Sequence, residues 1–337
     1  MCFKHCLITM RGIKGKTMQY ITLNNGIKMP NIGLGTYELQ GQKGVKIIQN
    51  ALQIEYKLID TAQMYENEKE VGIALASAMQ SLKDSSLHTK VSRDFSTHST
   101  THLDSNATLT LSPHKQSAHI ESSEVGSNDS SRPLQPDELF ITTKLSSNMS
   151  YKKAWQSIES SLQNLGLEYV DLLLIHEPYA NAKEMYKACE EAYCKGLIHA
   201  IGISNFYGKF LEDFLDSVRV KPVLNQVQAH IFFQQHTLQK FLESKGIHLQ
   251  AWSPLACGKN GIFTNETLQS IAKAHHKSTA QIALKCLLDK GMSIIPKASS
   301  LKRLQENLTL FDFSLTQQER DSIAQLDTNK SLFGWDC

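Results

Sequence analysis

Tyr169-Val-Asp-Leu-Leu-Leu-Ile-His176 is apolar almost throughout and ends on a histidine. A run of this kind lacks the in–out alternation of a sheet with one wet face, so it reads as a strand of a parallel sheet covered on both sides. Helix-length segments flank it, near 151–164 and over 182–195. Upstream, Asn31–Thr36, Lys57–Thr61 and Leu139-Phe-Ile-Thr-Thr-Lys144 have the same character. Downstream it returns in Ala200–Ser204, Val223–Val227, Ile247–Trp252 and Met292–Pro296. Between them lie predicted helices near 42–55, 67–80, 208–218, 236–245, 266–275 and 279–289, and one more starts near Leu301. Eight β units alternating with helices predict an α/β fold, a closed (β/α)8 TIM barrel rather than an open doubly wound sheet. Thr316-x-x-Glu319 is a capping box that opens one further helix before an irregular tail.

Three segments stand outside the alternation. Gln19-Tyr-Ile-Thr-Leu-Asn-Asn-Gly-Ile-Lys28 predicts a hairpin turning at Asn25-Gly26, suited to covering the barrel floor. Residues 84–135 hold Ser or Thr at 19 positions, five histidines (88, 98, 102, 114 and 119) and no Tyr or Trp. Such a composition buries too little apolar surface to offset its ordering entropy, which predicts a disordered insertion between the second helix and the third strand. The irregular spacing of its histidines, with no Cys among them, argues against a metal tract. Residues 1–17 form an extra N-terminal segment, read as disordered or as a misassigned start with Met18 as the true one. The barrel is expected to occupy 18–337, interrupted by 84–135.

Composition narrows the partners. Net charge is +2 over 337 residues, giving no field that would favour nucleic acid or an anionic membrane. No apolar run approaches the roughly 18 residues of a spanning helix. Seven cysteines without a CxxC pair disfavour a disulfide framework, and the expectation is a cytoplasmic protein without a metal.

In a parallel barrel, reactive side chains gather at the C-terminal ends of the strands. Asp60 closes Lys-Leu-Ile-Asp, Lys144 closes Phe-Ile-Thr-Thr-Lys, His176 closes Leu-Leu-Leu-Ile-His, and Tyr65 follows Asp60 by one short turn. An Asp and a Lys at the ends of such apolar runs are costly to bury unless they pair. A tyrosine of ordinary pKa near ~10 is a protonated weak acid at neutral pH, and a neighbouring ammonium lowers that pKa. Asp60 would keep Lys144 charged, and His176 would donate a hydrogen bond to a carbonyl and orient it. These four residues are therefore expected to protonate an oxyanion, with Tyr65 as general acid. Taken singly, each has a plainer reading as a buried ion pair or a packing residue; at three strand ends together they point to one site.

At this point the chain resembles the aldo-keto reductase superfamily, in its small bacterial-type aldehyde and diketogluconate reductase branch. The matching stretches are Leu23-Asn-Asn-Gly-Ile-Lys-Met-Pro30, Gly33-Leu-Gly-Thr-Tyr37, Ile59-Asp-Thr-Ala-Gln-Met-Tyr-Glu-Asn-Glu68 and Ile141-Thr-Thr-Lys144. They continue with Leu172-Leu-Leu-Ile-His-Glu-Pro178, Gly202-Ile-Ser-Asn-Phe206, Leu224-Asn-Gln-Val227, Ala251-Trp-Ser-Pro-Leu255 and Ile295-Pro-Lys297 through Arg303 and Glu306-Asn307. The resemblance spans nearly the whole chain outside 1–17 and 84–135, and it sets the family's catalytic tetrad on Asp60, Tyr65, Lys144 and His176. It implies NADPH bound across the barrel top without a G-x-G-x-x-G loop. By motif, Ser204, Asn205 and Gln226 would hold the nicotinamide carboxamide and Trp252 would stack on the ring. Thr36 would lie near the ribose, and Ser253 and Leu255 would meet the pyrophosphate. Lys297, Ser300 and Arg303 would hold the 2′-phosphate, and Glu306 and Asn307 the adenine. The implied reaction is NADPH-dependent reduction of small aldehydes and ketones such as methylglyoxal, glyoxal or keto-sugars, by a monomer or a dimer.

The sequence departs from the family pattern at several positions. Ala298 stands where a Ser is usual, removing a hydroxyl worth about 1 kcal/mol of NADPH preference. Glu177 replaces the Trp of His-Trp-Pro and Tyr37 the frequent Trp, and with Trp335 in the tail they are the expected substrate-pocket residues. Pro136-Asp-Glu-Leu-Phe-Ile-Thr-Thr-Lys144 resumes the pattern after the insertion, which enters on the N-terminal face. Two other functions use the same fold. One is an NADPH-binding regulatory or scaffold protein with vestigial turnover, against which the intact tetrad counts. The other is a barrel hydrolase or isomerase, for which no paired carboxylates or metal triad are found.

Overall fold

In the computed structural model, which describes residues 18–80 and 139–334, successive strands pair side by side in chain order. The extra segment 1–17, the insertion 84–135 with its histidines, and Trp335 lie outside those residues. The barrel strands are β3 (Leu34–Gly35), β4 (Leu58–Asp60), β5 (Phe140–Leu145), β6 (Leu172–Ile175), β7 (Ile201–Ser204), β8 (Leu224–Gln228), β9 (His248–Trp252) and β10 (Ser293–Ile294). All neighbouring pairs are parallel. A parallel bridge from Ile32 to Ile294 closes the ring, with Gly33 N donating to Ile294 O and Ile294 N to Asn31 O, each at 2.9 Å. The sheet is thus the closed barrel that eight β units predicted. At the seam the first and last strands are shorter than 31–36 and 292–296. There Gly35 has a structural reason, since a Cβ on it would stand 2.6 Å from the Ile295 carbonyl oxygen.

Every residue of β5, β6, β7 and β8 is buried, as strands enclosed on both faces require. Successive side chains alternate between two cores. Leu58, Phe140, Leu172, Leu174 and Leu224 fill the barrel interior, whereas Ile59, Ile141, Leu173 and Ile175 pack outward beneath the helices. Those helices are α1 (Gly41–Gln53), α2 (68–80), α3 (Tyr151–Leu165), α4 (Ala182–Cys194), α5 (Gly208–Leu215) and α6 (His236–Ser244). They continue with α7 (Glu266–His275) and α8 (Thr279–Asp289), both between β9 and β10, then α9 (Leu301–Leu308) and α10 (Gln317–Ala324). The α10 capping box forms as expected, with Thr316 accepting from Glu319 N and Glu319 accepting from Thr316 N.

β1 (Tyr20–Thr22) and β2 (Lys28–Pro30) make the predicted antiparallel hairpin, with Gly26 at φ +86° in its turn. Its Leu23 and Met29 join the interior core, and the Asn24 and Asn25 amides donate to the carbonyls of Pro222 and His199. Pro222 and His199 precede β8 and β7, so the hairpin plugs the N-terminal end and leaves the C-terminal end to the chemistry.

Candidate active site

The two-residue period of a strand decides which polar groups enter the barrel. Asp60 is two residues beyond Leu58, Lys144 four beyond Phe140, and His176 two beyond Leu174, so all three lie on the interior side at the C-terminal rim. Tyr65 arrives from a 3₁₀ turn, Gln63–Tyr65, that follows β4. Gln63 anchors that turn: its amide donates to Ser157 O (3.1 Å) and Ser161 Oγ (2.8 Å), and its oxygen accepts from Ser146 N (3.3 Å).

Lys144 Nζ is the hub. It donates to Asp60 Oδ1 at 2.5 Å, to the Thr61 carbonyl at 2.9 Å and to the Tyr65 hydroxyl at 3.3 Å, and the residue is wholly buried. The second Asp60 oxygen accepts from Gln226 Nε2 at 2.7 Å, and that nitrogen also donates to Gln250 Oε1 at 2.7 Å. Burial opposes the charge on Lys144, but Asp60 and then Tyr65 outweigh it, so its pKa lies above the usual lysine value.

Tyr65 has its pKa pushed up, first by burial, with Lys144 pulling the other way. The sequence reading had the ammonium lowering it; the enclosure of the rim wins, and the phenol stays protonated as a general acid must. His176 is pushed down to about 3, by burial and then by the Lys144 charge, so its imidazole is neutral across the physiological range. The His176 and Tyr65 rings meet edge to face at 5.8 Å, and Tyr37, half-exposed, meets Tyr65 the same way at 5.2 Å.

The structure brings the four tetrad residues into one cluster and links Thr36, Tyr37, Ser204, Asn205, Gln226 and Trp252 to it. Thr36 donates its hydroxyl to the Asp60 carbonyl at 3.0 Å. Ser204 ends β7 and Asn205 follows it at φ +62°, a left-handed conformation unusual off glycine. The Asn205 amide donates to His176 O and Ser204 Oγ, and its oxygen accepts from Trp252 Nε1 at 2.8 Å. Ser253 and Leu255 lie in a loop with positive φ at Ser253, Ala256, Cys257 and Gly258. Ser300 is the N-cap of α9, accepting from Arg303 N, and the Arg303 guanidinium has no hydrogen-bond or ion-pair partner among the described residues. Glu177 is part-exposed beside His176.

Other contacts were absent from the sequence reading. Lys297 Nζ pairs with Glu38 Oε2 at 3.2 Å across the seam. Asn307 is buried, and the Tyr56 hydroxyl donates to the Leu304 carbonyl, in the same helix, at 3.1 Å. Ser146 Oγ lies 3.0 Å from His176 Nδ1. The tail crosses the mouth, where Ser331 donates to Gln228 Oε1 and Phe333 packs 5.5 Å from Trp252. Of these, Ser146 had a signal in the sequence: two residues past Lys144, it falls on the same side of the chain.

A carbonyl-reducing oxidoreductase that uses a nicotinamide cofactor is the class to which family and relatives assign this barrel. The chain belongs to the aldo/keto reductase family, whose model matches residues 31–124 and 123–328. It is similar to a glyoxal reductase of Bacillus subtilis (strain 168), 33% identical over 93% of this chain and 94% of the relative. It is 32% identical, with the same coverage of each, to the methylglyoxal reductase DkgA of Escherichia coli (strain K12). Among solved structures, a Bombyx mori aldo-keto reductase in complex with NADP superposes with a TM-score of 0.73, at 26% identity and covering 94% of this chain and 95% of that one. Among the described residues no helix is long and apolar enough to cross a membrane.

Proposed function

We propose that this protein reduces small, reactive aldehydes and ketones, of the glyoxal, methylglyoxal or keto-sugar kind, to alcohols at the expense of NADPH. The observation that carries the reading is the Lys144 ammonium, which touches the Asp60 carboxylate and the Tyr65 hydroxyl at once inside the barrel rim. Bound nicotinamide would supply the hydride. The remaining work falls to the chain. Neutral His176 donates a hydrogen bond to the carbonyl oxygen and orients it beside Tyr65. Tyr65 gives its phenolic proton to that oxygen as negative charge develops there. Lys144, held charged by Asp60, stabilises the phenolate left behind, a general-acid contribution of about 10²–10⁴ in rate.

The residues present fit the cofactor. Gln226 is buried, and both its amide hydrogens are committed, yet its oxygen has no hydrogen-bond partner among the described residues. That oxygen suits the carboxamide NH₂, with Ser204 and Asn205 beside it and the Trp252 indole for the ring to stack on. The unpartnered Arg303 at the start of α9 and nearby Lys297 suit the 2′-phosphate. Glu306, part-buried, and Asn307, buried, are the pair proposed for the adenine. Part-exposed Glu177 and Tyr37 leave a mouth suited to small polar carbonyls. A cytoplasmic monomer is part of the same reading.

The test is oxidation of NADPH, with NADH alongside, against a panel of aldehydes, dicarbonyls and keto-sugars. Turnover of small dicarbonyls with NADPH preferred is expected. Turnover near zero across the panel, with NADPH still bound, would favour the regulatory alternative.

A further inference from the structure

A neutral histidine carries one proton on one of two nitrogens, and which nitrogen decides whether the other edge of the ring donates or accepts. At His176 only Nδ1 is engaged among the described residues, by Ser146 Oγ at 3.0 Å; Nε2, on the other edge of the ring, makes no hydrogen bond there. Ser146 Oγ is surrounded by three groups. It accepts from Met64 N at 3.1 Å, so one lone pair is already used, and its proton faces His176 Nδ1 and, farther off at 3.2 Å, the Lys144 carbonyl. Imidazole nitrogen is the nearer acceptor. A proton sent to it leaves the imidazole hydrogen on Nε2.

We propose that Ser146 is a positioning residue that fixes His176 in its Nε2–H tautomer, so that the ring edge away from Ser146 is a hydrogen-bond donor. The same oxygen holds the backbone of Met64, next to Tyr65, and the Ser146 amide holds Gln63. One serine therefore aligns the general acid and sets the proton on the residue that orients the carbonyl. The inference rests on the reductase reading above, because only there must Nε2 donate to a substrate oxygen. A hydroxyl reaches Nδ1 from the end of β5 without supplying a charge, so the neutral ring is kept.

The experiment is ¹⁵N NMR of the His176 ring in the full-length protein, with Ser146→Ala and Ser146→Thr beside it. In the wild type, Nε2 should carry the proton and Nδ1 should show as a hydrogen-bonded acceptor. In Ser146→Ala the preference for Nε2–H should be lost and kcat/KM for a small dicarbonyl should fall about tenfold, the equivalent of one hydrogen bond, with NADPH affinity unchanged. Ser146→Thr, which keeps the hydroxyl, should restore both. A wild-type ring protonated on Nδ1, or a tautomer unmoved by Ser146→Ala, overturns the proposal. If Ser146→Ala does not fold, the wild-type spectrum alone decides. If the wild type reduces no carbonyl, the reductase reading fails, and the tautomer measurement still judges Ser146 by itself.

Discussion

At Lys144 an ammonium group with no exposed surface is kept charged by one carboxylate, one carbonyl and one phenol. Removing one partner of a buried pair leaves the other uncompensated, which costs far more than the pair contributes. Asp60→Ala is therefore expected to lower the unfolding free energy by about 3–5 kcal/mol, as read by urea denaturation at pH 7. A change below about 1 kcal/mol, within the range of an exposed pair, would mean that Asp60 does not hold a buried charge. The placement of Asp60, Lys144 and His176 at the rim was legible in the sequence because each ends an apolar strand. Ser146 was not read as part of the site, since a serine after a strand looks like an ordinary turn residue. Its partners Met64 and His176 are 82 and 30 residues away and meet it only when the barrel closes.

The elements around the rim divide the site between them, β4 and its turn carrying the acid, β5 the ammonium, β6 the histidine, β7 to β9 the groups proposed for the nicotinamide. The alternation of strands and helices was readable nearly to the residue, including both helices between β9 and β10, because burial on both faces leaves apolar runs that nothing else explains. The shortness of β3 and β10 was not readable, because it is set by how the seam closes. The contact from Lys297 to Glu38, 259 residues apart, belongs to that seam as well. Glu38 occupies the cation proposed for the 2′-phosphate and must release it on binding. Glu38→Gln should tighten NADPH about two- to fivefold, the range of an exposed ion pair, and leave NADH unchanged, by fluorescence titration of each. An equal shift for both nucleotides, or none for NADPH, would detach Glu38 from cofactor selection.

Over the whole molecule, three of the described histidines are held neutral, buried His176 pushed down to about 3 and buried His230 and part-buried His248 to about 4, each first by burial. In the unfolded chain each titrates near ~6.5. Below that value the unfolded state takes up protons that the folded state refuses, so stability falls as pH drops from about 6.5 towards 4 and is level above it. The slope should approach about 4 kcal/mol per pH unit if all three contribute, and urea midpoints at pH 7 and pH 5 measure it. Equal or higher stability at pH 5 would contradict the neutral interior. If this barrel reduces a carbonyl by general-acid catalysis, Tyr65→Phe separates binding from turnover. This variant should keep the NADPH affinity and stability of the wild type while kcat for a small dicarbonyl falls by at least about 10². Turnover close to the wild-type rate, with NADPH bound equally well, would contradict general-acid catalysis by Tyr65.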